Sequence, residues 1–242
     1  QRQMCIRDRV ILIVIVVGGI VGWVNGFFVA KFHLHPFIVT LATQLIVYGI
    51  LLMYIMLNGN NGQPLSGLDK SFKNFVTGSF LKIRGVPIPN YVWYACVVVV
   101  FMWFMWNKTT FGKNLYAVGG NPEAAAVSGI SVFKVTMGAF ILAGILYGFG
   151  SWLECVRMVG SGSAAYGQGW DMDAIAACVV GGVSFTGGIG KISGVVTGVL
   201  IFTSLTYSLT VLGIDTNLQF IFEGIIILAA VTLDCLKYVQ KK

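Results

Sequence analysis

Val10–Ala30 contains no charged side chain, and neither does Pro36–Leu57. A helix needs about 20 consecutive apolar residues to cross about 30 Å of hydrocarbon, and both stretches are that long. Inside lipid every backbone amide must be paired within the protein, so runs this continuously apolar are expected to cross as helices.

Four further stretches support the same reading. Tyr91–Trp106, YVWYACVVVVFMWFMW, is shorter but extends back through Val86, and its tryptophans and tyrosines suit the membrane interface. Val135–Leu153, Ile192–Gly213 and Leu218–Leu233 complete the set, the last with Glu223 inside it. Ala174–Val183, AIAACVVGGV, is apolar but half the required length, and it runs directly into SFTGGIGK. It reads either as a broken or re-entrant helix, covered by protein or a watery cavity, or as a span whose glycine-rich end resembles a loop. The expected fold is an all-α integral membrane protein: a polytopic helical bundle with about six full spans plus a short broken or re-entrant helix.

Composition agrees. Hydrophobic residues make up 57% of the chain and charged residues 10%, whereas a soluble domain carries roughly 25% charged residues. The formal net charge is +7, but the basic residues are scattered through short polar segments and form no stripe for nucleic acid. Anionic lipid is the expected partner of those loops. The five cysteines contain no CxxC pair, and the two histidines are His33 and His35, so neither a zinc site nor a disulfide framework is indicated. Cys96 and Cys178 read as small buried hydrophobes.

Glycines recur four apart at Gly18, Gly22 and Gly26, at Gly144 and Gly148, and at Gly190, Gly194 and Gly198. Such stripes let a neighbouring helix approach closely. If the tail KYVQKK is cytoplasmic and the Ala174 segment completes a crossing, Lys31, Lys108–Lys134 and Lys191 fall on the same side. Lysine and arginine then divide evenly between the two sides. The cytoplasmic side leads, as the positive-inside rule asks, once Arg2, Arg7 and Arg9 are set aside. Those three lie in residues 1–9, QRQMCIRDR, whose composition breaks sharply from the apolar run beginning at Val10; the segment is expected to be foreign to the protein. Residues 10–242 form the expected transmembrane domain.

Two long polar segments remain. Asn58–Asn90, outside, is rich in turn formers and reads as an extracellular cap or docking surface, or as a plain surface loop. Asn107–Lys134, inside, contains GGNPEAAAVSG. There Asn121 suits a helix N-cap, Pro122 the first helical position, and Glu123 the positive end of the helix dipole. Alanines come next, then Gly129 just past the end. The spacing predicts a helix of about two turns, too short to stand alone in water. It is either a connector lying on the membrane face or an element seated in a partner's groove.

FGKNLYAVGGNPEAAAVSGISV, DMDAIAACVVGGVSFTGGIGK and ILAAVTLDCLKYVQKK resemble the permease subunit of bacterial ABC importers for monosaccharides, most closely those for galactose and methyl galactosides. The resemblance runs from about Val10 to Lys242. Family members usually begin with further spans ahead of the position matching Val10, so an N-terminal part is expected to be missing. The resemblance implies a second permease copy, a cytoplasmic dimer of ATP-binding subunits holding ATP and magnesium, and a periplasmic sugar-binding protein that delivers the ligand. It implies a location in the bacterial cytoplasmic membrane, no cofactor on this chain and no enzymatic activity of its own. It places the ATPase-coupling segment at residues 107–134. Asn121, Pro122 and Glu123 start the coupling helix, Ala124, Ala125 and Ala126 let it seat closely, and Ser128 and Gly129 end it.

The residues themselves give no rival chemistry of catalysis. GGVSFTGGIGKIS fails the phosphate-loop pattern at Phe185 and at Ile192, and neither HExxH nor GxSxG is present. The alternative of another class is a proton- or ion-coupled secondary transporter using Glu223 and the broken helix at 174–183. A weaker third reading is a membrane scaffold. A sugar path needs uncharged hydrogen-bonding groups, so Asn25, Thr40, Thr43, Gln44, Thr203, Ser204 and Thr206 are the candidates. Each also has a plainer role in local helix bonds or helix–helix contacts.

Overall fold

The computed structural model describes residues 2–57, 75–83, 86–158, 166–184 and 186–239. Its helices, in chain order, are α1 (Arg2–Phe32), α2 (Pro36–Leu57), α3 (Asn90–Lys108), α4 (Thr110–Gly120), α5 (Pro122–Val127), α6 (Val132–Arg157), α7 (Trp170–Val180), α8 (Ile192–Val211) and α9 (Thr216–Val239). Among the described residues, α1 from Arg9, α2, α3, α6 and α8 are long and apolar enough to cross a membrane. At 24 residues α9 is about 36 Å long, with Leu218–Ala229 as its apolar part. The chain is an all-α, multi-pass membrane protein.

One small element departs from that description. Between α2 and α3, β1 (Ser79–Ile83) and β2 (Val86–Pro89) form an antiparallel pair with an irregularity between Ser79 and Leu81. Pro87 and Pro89 fit there because both strands of a two-stranded sheet are edges. Residues 58–74 and 84–85 of the expected docking surface lie outside the described residues. Helix α1 continues through the segment expected to be a foreign leader.

The chain divides into two units, Gln1–Val98 with Ser131–Tyr166, and Val99–Ile130 with Gly167–Lys242. In the first, α1 and α6 pack glycine stripe to glycine stripe. A Cβ on Gly18 would run into the carbonyl oxygen of Gly144 and sit 3.2 Å from the Cα of Gly148. A Cβ on Gly144 would meet the carbonyl of Gly18 and sit 3.0 Å from the Cα of Gly22. Near the far end of α6, Trp152 and Val156 close over Val76, with Phe149 and Tyr91 against them. In the second unit the stripe on α8 faces α7. A Cβ on Gly198 would lie 2.7 Å from the amide nitrogen of Gly181, and Ala176, Ala177 and Phe202 form the buried cluster beside it.

Cys96 is exposed rather than buried, and Cys178 is half-buried. The reason is that α3 buries none of its residues within the chain, so its apolar surface is left for lipid or another protein surface.

The glycine contact sets a test. Gly144→Val places side-chain atoms where the α1 backbone lies and should weaken the pair by about 1–3 kcal/mol, read as a lower denaturation midpoint in detergent. Gly150→Ala, where an added Cβ meets nothing within 4 Å, should leave the midpoint unchanged or raise it.

Candidate functional site

The short helix forms as its end signals require. Asn121 is extended, at φ −156° and ψ 102°, and its side-chain oxygen accepts from the Ala124 amide at 3.0 Å. The same residue closes the preceding helix, since its own amide donates to the Ala117 carbonyl at 3.0 Å. Thus α4 and α5 share one cap with no linker between them. Pro122 takes the first helical position, where the lost N–H costs nothing.

At the other end Gly129 is left-handed, with φ 83°. Its amide donates to Ala126 and that of Ile130 to Ala125, both at 3.0 Å, which satisfies the last carbonyls in a Schellman motif. The Ser128 hydroxyl donates to the Ala124 carbonyl at 2.9 Å. The helix is six residues long, close to the two turns expected.

Burial separates residues that the sequence treats alike. Ala125 is turned inward and 4% exposed, whereas Val127 is 91% exposed. Glu123, Ala124 and Ala126 are also exposed. The outward face is therefore a valine flanked by alanines, small and apolar. Val127 belongs with the candidate contact residues, and Ala125 holds the helix to its own unit. An alanine run gives no hint of which member points in, and that is why the sequence does not separate them.

Helix α7 ends as firmly as α5. Gly182 is left-handed at φ 82°, its amide donates to Val179 at 2.9 Å, and the Val183 amide donates to Cys178 at 3.0 Å. At 11 residues α7 is about 16 Å long, so it stops short of a crossing. The Ser184 amide donates to the Ile189 carbonyl at 3.0 Å and closes the glycine-rich turn that leads to α8. The Tyr116 hydroxyl on α4 donates to the Gly190 carbonyl at 2.7 Å.

The expected path residues are partly brought together. Asn25 on α1 is buried, and its side-chain oxygen accepts from the Thr43 hydroxyl on α2 at 2.5 Å. Thr40 bonds back to the carbonyls of Pro36 and Phe37, and Gln44 is exposed. In the second unit Thr206 bonds back to Phe202 and Thr203, while Thr203 and Ser204 are exposed on α8. Also in that unit, the carboxyl groups of Asp173 on α7 and Glu223 on α9 lie side by side. Among the described residues there is no cluster suited to a metal ion.

Comparison with known proteins gives a consistent set. The family described as branched-chain amino acid transport system / permease component matches residues 9–231. The galactose/methyl galactoside import permease protein MglC of Treponema pallidum (strain Nichols) is 53% identical over 221 residues, covering 90% of this chain and 40% of that protein. MglC of Escherichia coli (strain K12) is 47% identical over 233 residues, 96% of this chain and 68% of that protein. The ribose import permease protein RbsC of Bacillus subtilis (strain 168) is 38% identical over 212 residues, 87% of this chain and 62% of its own length. The chain thus spans between two fifths and about two thirds of these relatives. No solved structure matches.

The caps themselves are testable. Asn121→Ala should cost the helix about 1 kcal/mol, and Gly129→Val about 1–2 kcal/mol for the left-handed backbone. Hydrogen exchange at the amides of Ser128 and Ile130 should speed up in both variants, while exchange in α8 is unchanged.

Proposed function

Because the chain belongs to the branched-chain amino acid transport system / permease component family, we propose that it is the transmembrane subunit of an ATP-driven importer in the bacterial cytoplasmic membrane. The observation that carries this reading is the doubly capped helix α5, which presents Val127 at 91% exposure while anchoring itself through Ala125. A helix of six residues with an unfilled apolar face is suited to seat in a cleft of another protein. In an importer that protein is the cytoplasmic ATP-binding subunit, present as a dimer and holding ATP with magnesium. Asn121, Pro122, Glu123, Ala124, Ala126, Val127, Ser128 and Gly129 present the contact surface, and Ala125 fixes its attitude.

The cargo is a monosaccharide of the galactose or methyl galactoside class. In support, the Treponema and Escherichia relatives named for those sugars are more similar to the chain than the ribose protein is. A sugar carries no charge, so its passage calls for neutral donors and acceptors. Asn25 with Thr43 is the candidate pair for it, and Thr40, Gln44, Thr203, Ser204 and Thr206 are the remaining candidates. A second copy of the permease completes the passage and a periplasmic sugar-binding protein delivers the ligand. The chain itself binds no cofactor and performs no hydrolysis.

The neighbouring carboxyls of Asp173 and Glu223 support the other reading, a proton-coupled secondary transporter. Membership of a permease-component family weighs against it. The two separate cleanly in proteoliposomes holding the full-length permease, its ATPase and its binding protein. Uptake should continue when the proton gradient is collapsed with ATP present, and Glu223→Gln should keep that gradient-independent uptake. Uptake that stops with the gradient and ignores ATP removal would assign the chain to the secondary transporters. Val127→Asp should lower sugar-stimulated ATP hydrolysis at least about tenfold, because it puts a charge into an apolar contact, with membrane insertion unchanged.

A further inference from the structure

The glycine-rich turn after α7 touches the end of α4, backbone to backbone. A Cβ on Gly119 would lie 2.7 Å from the amide nitrogen of Gly188. A Cβ on Gly188 would lie 2.6 Å from the Cα of Gly120, and one on Gly187 2.7 Å from the Gly119 carbonyl oxygen. No side chain fits between the two segments. One turn earlier on α4, Tyr116 reaches across and donates to the Gly190 carbonyl at 2.7 Å, a bond between residues 74 apart in sequence. Beside this contact is a cavity of about 380 Å³ whose lining includes Tyr116, Gly188, Gly190 and, from the α7–α8 crossing, Gly181 and Gly194.

We infer that this contact is the route by which displacement of α5 reaches α7 and α8, with Tyr116, Gly119 and Gly188 as positioning residues of the transport cycle. The inference rests on the reading of α5 as the element seated on the ATPase. Helix α5 has no linker to absorb its motion, because Asn121 caps both it and α4. A push on α5 therefore arrives at Gly119 and Gly120. Closely packed backbone has no soft side chain to deform, so the push passes to Gly187 and Gly188. A pull passes through the hydroxyl of Tyr116 to Gly190, next to Lys191 at the start of α8. The contact thus works in both directions, and the cavity gives the turn room to move. It needs no signal carried along the chain from α5 into α6. The physical requirement for such a route is a continuous set of contacts with two arrangements; the glycine contact supplies the continuity, and the adjoining space leaves room for a second arrangement.

The test uses the full-length permease in liposomes with its ATPase and sugar-binding protein, and reads sugar taken up per ATP hydrolysed. Gly119→Ala inserts an atom into the contact, and Gly120→Ala, where an added Cβ meets nothing within 4 Å, is its control. Tyr116→Phe removes only the hydroxyl. Tyr116→Phe should lower the ratio by about fivefold, the factor that one ordinary hydrogen bond corresponds to, and Gly119→Ala should lower it as well, with ATPase subunit retention unchanged in both. Gly120→Ala should match the wild type. Should Gly119→Ala fail to assemble, Tyr116→Phe, which adds no atom, decides alone. A wild-type ratio in Tyr116→Phe, or an equal loss in Gly119→Ala and Gly120→Ala, overturns the inference. Absence of ATP-driven uptake in the wild-type complex would instead overturn the importer reading beneath it.

Discussion

Lipid exerts no hydrophobic push between helices, because its tails are as apolar as leucine. What holds α1 to α6 must therefore come from contact distance itself, and contact distance depends on the absence of side chains at Gly18, Gly22, Gly144 and Gly148. Dispersion between two backbones is weak atom by atom and substantial when summed over a whole crossing. The same device recurs at Gly181, Gly194 and Gly198 between α7 and α8, and at Gly119, Gly187 and Gly188 between α4 and the glycine turn. In each case backbone packs on backbone.

That constraint has a consequence for how the elements end. A helix that ends within a bilayer has no water for its last carbonyls, so termination has to be built in. Both α5 and α7 end in Schellman motifs, at Gly129 and at Gly182. The short length of α7 is thus imposed by its own sequence. Just beyond its last residue the chain closes on itself through Ser184 and Ile189, and the turn so formed offers glycine backbone to α4. Shortness and close contact have one origin.

Much of this is legible in the residues, and the illegible parts share a cause. Asn121, Pro122 and Gly129 announce a helix because capping depends on local chemistry alone. The glycine spacing announces packed stripes for the same reason. The sequence does not say that α1 faces α6, since a period identifies a face and leaves its partner open. It does not say that Ala125 points in and Val127 out, because three alanines present no amphipathic contrast. The strand pair Ser79–Ile83 and Val86–Pro89 escapes a sequence reading because it is short and carries Pro87 and Pro89, which argue against a strand unless both strands are edges. The Asp173–Glu223 pair joins positions far apart in sequence, which no local pattern records. The coupling role proposed for α5 comes from the family resemblance, which does not say which atoms of the helix face outward.

The economy of α5 arises from these local facts taken together. A six-residue helix has no stability of its own in water, yet this one is ordered at both ends and anchored by a buried Ala125. Asn121 ends α4 and caps α5 at once, so no linker separates the two helices. A flexible tether would let a partner grip α5 without moving anything else. Rigid continuity makes any displacement of α5 a displacement of Gly119, and Gly119 already touches the turn between α7 and α8. In the coupling proposed above, Val127 is the outward handle and its far end is fixed to the helices of its own unit.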